Sequence, residues 1–315
     1  MSSPQISFVV IAFNEDHHIE NCLESIESLD GLEDYEIFVV DDGSTDRTAS
    51  IVEEYRLTHP RVTLISQVNQ GRGGARACGL AATSGAMVAM VDGDLELPRN
   101  WLERCQPELK SVDVVGGVAV PEGDVTWLHS TFRLDPRPSP IDVGVTGNNG
   151  LYRREAIVAI GFDPEMRTAE DIVFRHKLED AGFSSKCLGD LLCLHQEDKG
   201  YLRTLSWMIE SGISATHQLR RFRPWRFADF AVVGWMTATI VAFAFGGPLL
   251  GFAITLSWIL LVGSAHVLRR FRFELSPWYF VRFTSACVVN ISIIGCYFVG
   301  RVLGVLLPNR IPRWK

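Results

Sequence analysis

The chain has 315 residues, of which 47% are hydrophobic and 21% charged. That composition supports a sizeable core and excludes a disordered or collagen-like chain. A formal net charge of −7 argues against a nucleic-acid-binding protein.

The first half alternates strand and helix patterns. Ile6–Ile11 is a short run rich in β-branched residues. From Asp16 to Leu29 the apolar residues Ile19, Cys22, Leu23, Ile26 and Leu29 recur at helical spacing. Glu36–Val40 reads as a second strand, and Ser44 and Thr45 are candidate N-caps for a helix ending at Tyr55. Val62–Ile65 reads as a strand, Ala75–Thr83 as a helix and Ala86–Val91 as a further strand. Apolar strands separated by helices predict an α/β domain with a parallel sheet covered on both faces. Ligands of such sheets bind beyond the carboxyl ends of the strands. Three of those ends here read Phe13-Asn14-Glu15, Asp41-Asp42-Gly43-Ser44 and Asp92-Gly93-Asp94, so polar and acidic groups are expected at one edge.

The last third differs. Residues 1–226 hold 22 basic and 35 acidic side chains, whereas 227–315 hold 8 and 2. Ala228–Phe245 and Leu249–Val267 are long apolar stretches separated by Gly246-Gly247-Pro248, the pattern of a transmembrane hairpin. Phe280–Leu307 is a third candidate, with Arg282 and Arg301 near its ends, where their side chains can snorkel. A re-entrant segment or soluble core helices are the alternatives. Arginines 220, 221, 223 and 226 precede the hairpin and 269, 270 and 272 follow it, which sets both flanks in the cytoplasm by the positive-inside rule. Tyr201–Arg221 is amphipathic and suits either an interfacial helix or ordinary packing. The expected organisation is therefore a catalytic domain over 1–197, a basic juxtamembrane linker over 198–226 and a membrane domain over 227–315. The seven cysteines form no Cys-x-x-Cys pair and read as reduced thiols. The first residues lack the charged and apolar regions of a signal peptide.

Three segments carry the chemistry. Asp92-Gly93-Asp94 follows an apolar strand, and two carboxylates there suit a hard divalent cation that neutralises a departing diphosphate. In isolation the same triplet is a solvated turn. Asn69-Gln70-Gly71-Arg72-Gly73-Gly74-Ala75-Arg76 is a Gly-rich loop entering a helix, where small residues let backbone N–H groups approach phosphate and arginines add bidentate donors. It is neither a P-loop nor a nicotinamide-binding fingerprint. Asp41 to Asp46 form a strand-to-helix turn with an excess of acid.

These segments, with Val10–Glu15, Gly147–Arg154, Gly161-Phe162-Asp163 and Ala169-Glu170-Asp171, occur in an order that resembles family 2 glycosyltransferases of the GT-A fold over roughly residues 5–195. The resemblance implies a GT-A domain, Rossmann-like with a mostly parallel sheet, followed here by C-terminal transmembrane helices. It implies that Phe13 lies against the nucleobase, where Tyr is usual. Asp42 would accept from the base N–H, Glu15 would lie near the ribose, and Asp41, Gly71, Arg72 and Arg76 would help hold the nucleotide. Asp94 would bind the metal, supported by Asp92 and, at the next strand end, His195. Asn148 would touch donor or acceptor. Asp171, with Glu170 before it, would be the catalytic base, although two acids there also suit the dipole of a helix running to Leu178.

The resulting expectation is an inverting, membrane-bound enzyme of the lipid-linked oligosaccharide class. It needs Mn2+ or Mg2+, faces the cytoplasm and takes its sugar from a nucleotide-sugar donor, UDP before GDP. The acceptor expected is a saccharide on a polyprenyl or dolichyl carrier, because a phosphate acceptor is already ionised and needs no base. The alternatives are a polyprenyl- or dolichyl-phosphate monosaccharide synthase, a polysaccharide synthase suggested by Gln218-Leu219-Arg220-Arg221-Phe222, and a nucleotide-sugar-binding membrane protein without activity.

Overall fold

The computed structural model describes residues 4–122, 147–167, 170–196, 201–222, 227–270 and 279–307. They fall into two compact units, one ending at 196 and the other beginning at 201.

The first unit is built on a mixed eight-stranded sheet. Strands β1 (Ile6–Ala12), β2 (Tyr35–Asp41), β3 (Val62–Ser66) and β4 (Met87–Asp92) are parallel in the order β3-β2-β1-β4. All seven residues of β1 are buried. Alternate side chains serve opposite faces, as the pleat requires. Phe8 and Val10 join Ile19, Leu23 and Ile26 of helix α1 (Ile19–Glu27), while Val9 and Ile11 join Ala75 and Leu80 of the helix on the other face. The expected two-sided cover is therefore present.

Beyond β4 the sheet is mixed, with β6 and β8 parallel to each other. After β5 (Leu95–Glu96) come β6 (Val114–Glu122), β7 (Asn149–Arg153) and β8 (Ser185–Gln196), in the order β4-β7-β6-β8-β5. The β4–β7, β6–β7 and β5–β8 pairs are antiparallel. Strand β7 runs back from the end of β4, so it starts at the edge where β1, β2 and β4 finish.

The helices follow the pattern with small departures. Helix α2 (Thr48–Tyr55) is not capped by Ser44 or Thr45. Asp46 Oδ1 accepts from Thr48 N–H at 2.9 Å instead. Ser44 and Thr45 are engaged by Asn14, whose φ of +59° turns the chain after β1. Helix α3 (Arg72–Ala82) begins before Ala75. The short α4 (Trp101–Cys105) buries Trp101 under the sheet, and α5 (Arg154–Ile160) and α6 (Glu170–Asp180) complete the unit.

The second unit holds α7 (Tyr201–Phe222), α8 (Phe227–Arg270) and α9 (Tyr279–Leu306). Helix α8 breaks at Gly247, whose φ is +78°, with Pro248 next to it. Its arms double back, because Thr239 Oγ1 lies 3.5 Å from Thr255 Oγ1; an unbroken helix would hold them about 24 Å apart. The two apolar stretches separated by Gly246-Gly247-Pro248 are thus two arms of one helical hairpin. Ser285–Leu306 is long and apolar enough to cross a membrane, with a mean hydropathy of 1.8, and Val233–Trp258, of mean hydropathy 1.9, runs across the turn of the hairpin. Arg301 does not snorkel; it is buried against α7, and its carbonyl accepts from Thr216 Oγ1 at 3.1 Å. The side chains of the flanking arginines 220, 221, 223, 226, 269, 270, 272 and 282 lie outside the described residues. All seven cysteines are free thiols.

One contact sets how closely α3 approaches the sheet. A Cβ added at Gly79 would run into Val9 and stand 3.1 Å from Val40 Cγ2. Gly79→Ala is expected to destabilise the first unit by about 1–3 kcal/mol through overpacking. Urea unfolding followed by tryptophan fluorescence measures this, and an unchanged midpoint would contradict the close packing.

Candidate active site

The parallel strands end level with one another. Ala12 pairs with Asp41, and Ile11 with Asp92. This register brings the loops after β1, β2 and β4 to one edge, as expected. Phe13 is half-buried beyond β1, and Glu15 N–H donates to Thr48 Oγ1 at 2.8 Å, which ties the first loop to the second. Asp41 is buried and accepts from Ser44 N–H at 3.1 Å.

Asp42 is also buried, and its carboxylate is heavily used. Oδ1 accepts from Gln67 Nε2 at 2.7 Å and from Gln70 N–H at 2.8 Å, while Oδ2 accepts from Gly71 N–H at 2.8 Å. The side chain therefore holds the Gly-rich loop in place.

That loop differs from its expected role as a phosphate cradle. The N–H groups at the start of α3 meet protein carbonyls: Arg72 N–H donates to Arg167 O at 3.3 Å and Gly73 N–H to Met166 O at 3.0 Å. A Cβ at Gly71, where φ is +83°, would lie 2.7 Å from Arg167 Cα, and one at Gly73 would collide with the carbonyls of Met166 and Asp163. The glycines make room for the turn at 163–167 and not for a ligand. Arg167 secures this contact through Asn69, donating to its carbonyl at 3.3 Å and also to its side-chain Oδ1.

The two arginines of the loop point to different tasks. Arg76 is 2% exposed; it donates to Asp92 Oδ1 at 2.6 Å and forms an ion pair with Glu170. Arg72 is only partly buried. Burial works against its charge, yet the carboxylates of Asp92, Asp94, Asp171 and Glu15 outweigh that and push its pKa up.

Asp94 faces His195, with Oδ2 3.2 Å from Nε2, because β5 pairs with β8 and sets Leu95 opposite His195. Asp92 is turned to Arg76 instead. Among the described residues no three His, Cys, Asp or Glu side chains gather as a metal-binding group. Of the expected metal residues, Asp92 thus faces Arg76, and Asp94 and His195 face each other. Asn148 enters through β7: its carbonyl accepts from Asp92 N–H at 3.2 Å and its Oδ1 from Asn149 Nδ2 at 3.0 Å. Glu170 is buried and Asp171 half-buried in the first turn of α6.

Sequence patterning did not mark Gln67, Asn69 or Arg167, which fix the Gly-rich loop. Asn69 lies within the quoted motif, whereas Arg167 carries no local signal of its partner 98 residues away. Asp42→Ala is expected to cost about 1–3 kcal/mol, because Gly71 N–H would be left buried without an acceptor. A thermal melt of this variant beside Asp42→Asn, which keeps an acceptor oxygen, measures it. Equal melting temperatures for Asp42→Ala and the parent chain would show that the strap is dispensable.

Comparison with known proteins agrees with this architecture. The family model of Glycosyl transferase family 2 matches residues 7–161. Glycosyltransferase AglE of Haloferax volcanii is 29% identical over 203 residues, covering 61% of this chain and 67% of that protein. Dolichyl-phosphate beta-glucosyltransferase ALG5C of Trichomonas vaginalis is 32% identical over 142 residues, 42% of each chain. Among solved structures, mannosyltransferase PcManGT of Pyrobaculum calidifontis, in complex with GDP-Man and Mn2+, superposes with a TM-score of 0.61 at 21% identity. It covers 98% of this chain and 89% of its own. The family profile spans the acidic strand ends, so residues 7–161 match glycosyltransferase family 2, and the chain has the GT-A fold.

Proposed function

We propose that the protein is an inverting, metal-dependent glycosyltransferase that moves a sugar from a nucleotide-sugar donor to a saccharide carried on a polyprenyl or dolichyl lipid. The observation that carries this reading is the convergence of acids at the sheet edge, with Asp92 and Asp94 at the end of β4 and Asp171 half-buried in the first turn of α6, whose Glu170 is tied to Asp92 through Arg76.

In this reading Asp171 takes the proton of an acceptor hydroxyl as its oxygen attacks the anomeric carbon. Arg72 supplies positive charge to the departing diphosphate, where a preorganised guanidinium costs no rearrangement during the reaction. Phe13 packs against the base, and Glu15 and Asp41 stand on the nucleoside side of the edge. Asp94 and His195 offer one oxygen and one nitrogen donor, and this pair would hold a divalent cation. Bound there, Mn2+ or Mg2+ would supply Lewis-acid neutralisation of the leaving group.

The lipid acceptor is supported by the helical unit. Only 11% and 24% of the two apolar windows is buried, and Phe245 and Leu249 are 88% and 85% exposed. Apolar surface of that extent suits a bilayer better than water. The basic residues flanking the hairpin support a cytoplasmic catalytic domain by the positive-inside rule. The relatives AglE and ALG5C support the lipid-linked setting. ALG5C also favours the second reading, a dolichyl-phosphate monosaccharide synthase, in which the acceptor is the phosphate itself.

The test uses the full chain in lipid with Mn2+. A panel of labelled UDP- and GDP-sugars is offered with polyprenyl phosphate or with a crude lipid-linked oligosaccharide extract, and label is followed into the organic phase. Label only with the oligosaccharide extract is expected. Label on bare polyprenyl phosphate would replace this reading by the second one, and no label with either would reject both. Asp171→Asn is expected to lower transfer by about 100-fold or more, and full transfer by this variant would refute the base assignment. Removal of the divalent cation with EDTA is expected to abolish transfer, and added Mn2+ to restore it.

A further inference from the structure

Arg76 stands in the loop whose resemblance assigns it to the nucleotide, but its surroundings point elsewhere. Its side chain is 2% exposed. One end of the guanidinium holds Asp92 Oδ1 at 2.6 Å, and the other holds Glu170 Oε1. The Phe162 ring lies 5.8 Å from its carbon, and a Cβ built at Gly147 would stand 2.8 Å from Nε. Two carboxylates, an aromatic ring and the backbone turn at Gly147 thus enclose it. To reach a nucleotide it would have to leave two buried acids without their counter-charge.

The two acids belong to different parts of the site. Asp92 ends β4, two residues before Asp94. Glu170 opens α6, and the next residue is Asp171. Segments 78 residues apart are joined through one rigid, planar, five-donor fork. We infer that Arg76 is a positioning residue, which fixes the first turn of α6, and with it Asp171, at a set distance from the donor edge at Asp92. The inference rests on the reading of Asp171 as the base.

The geometry distinguishes this from nucleotide binding. A donor ligand acts on affinity for the nucleotide. A tie between two carboxylates leaves that affinity alone and acts on the rate of transfer, because a base displaced by about 1 Å loses on the order of 100-fold. Lysine keeps the charge at position 76 but offers a point contact where arginine offers a fork, so it satisfies one carboxylate and not both.

The experiment compares Arg76→Lys, Arg76→Met and Glu170→Gln in the full chain in lipid. Calorimetry with UDP or GDP and Mn2+ gives nucleotide affinity, the lipid-extract assay gives kcat and KM for transfer, and hydrogen exchange reads the backbone at 170–174. Nucleotide Kd is expected to stay within about threefold and kcat to fall about 100-fold or more, with Arg76→Lys intermediate. Exchange in the first turn of α6 is expected to quicken in all three variants. Glu170→Gln leaves the bond to Asp92 in place, so it keeps the inference testable if the Arg76 variants fail to fold. A tenfold or greater loss of nucleotide affinity with unchanged kcat would make Arg76 a donor ligand and overturn the inference, as would unchanged exchange at 170–174. Full transfer by Asp171→Asn, with quickened exchange in the Arg76 variants, would leave the tie standing and remove the base reading alone.

Discussion

Two carboxylates that are buried close together repel each other and lose their hydration, a combination that few interiors tolerate. Asp92 and Glu170 are in that position, and the guanidinium of Arg76 makes it tenable. The interaction shapes more than its own neighbourhood. It turns Asp92 toward Arg76, while Asp94, two residues on, faces His195. It also anchors the start of α6, and so decides where the helix can present Asp171.

A second constraint acts through the absence of side chains. Gly71 and Gly73 leave space that the turn at 163–167 fills with backbone carbonyls, and Asp42 and Arg167 hold the loop from two sides. Glycine is needed at 71 because of its positive φ and at both sites because of the close approach. The consequence for the chemistry is that the start of α3 is occupied by protein. In the proposed reaction the positive charge for a diphosphate comes from the Arg72 side chain, whose pKa the nearby carboxylates push up.

The helical unit obeys a different solvent logic. Its apolar side chains face outward along both arms of α8, while the polar contacts run inward. Tyr201 is bonded to Ser292, and Thr216 to the carbonyl of Arg301. Close backbone approach between α7 and α9 is possible because Gly212, Gly300 and Gly304 carry no side chain. This arrangement inverts the pattern of a water-soluble bundle, in which apolar groups turn inward and polar groups outward.

Much of the catalytic edge was legible in the linear order of residues. The strands read as strands because β-branched runs such as Ile6–Ile11 have a local signature, and a parallel α/β sheet brings its strand ends together whatever the details. Phe13, Glu15, Asp41, Asp42, Asp92 and Asp94 could therefore be placed at one edge from patterning, and the break at Gly247-Pro248 could be read in the same way. The family resemblance added Asp171 and His195. The pairings themselves were decided only by the tertiary structure. Arg76 meets Glu170 94 residues away, and Asp94 meets His195 through the antiparallel β5–β8 contact. The antiparallel entry of β7 beside β4, which brings Asn148 to the edge, likewise has no local mark. Periodicity reports which face of an element is buried, because that depends on neighbours three or four residues away. The partner of a charge depends on how distant strands close into one sheet, and on which opposite charge the burial of each carboxylate requires.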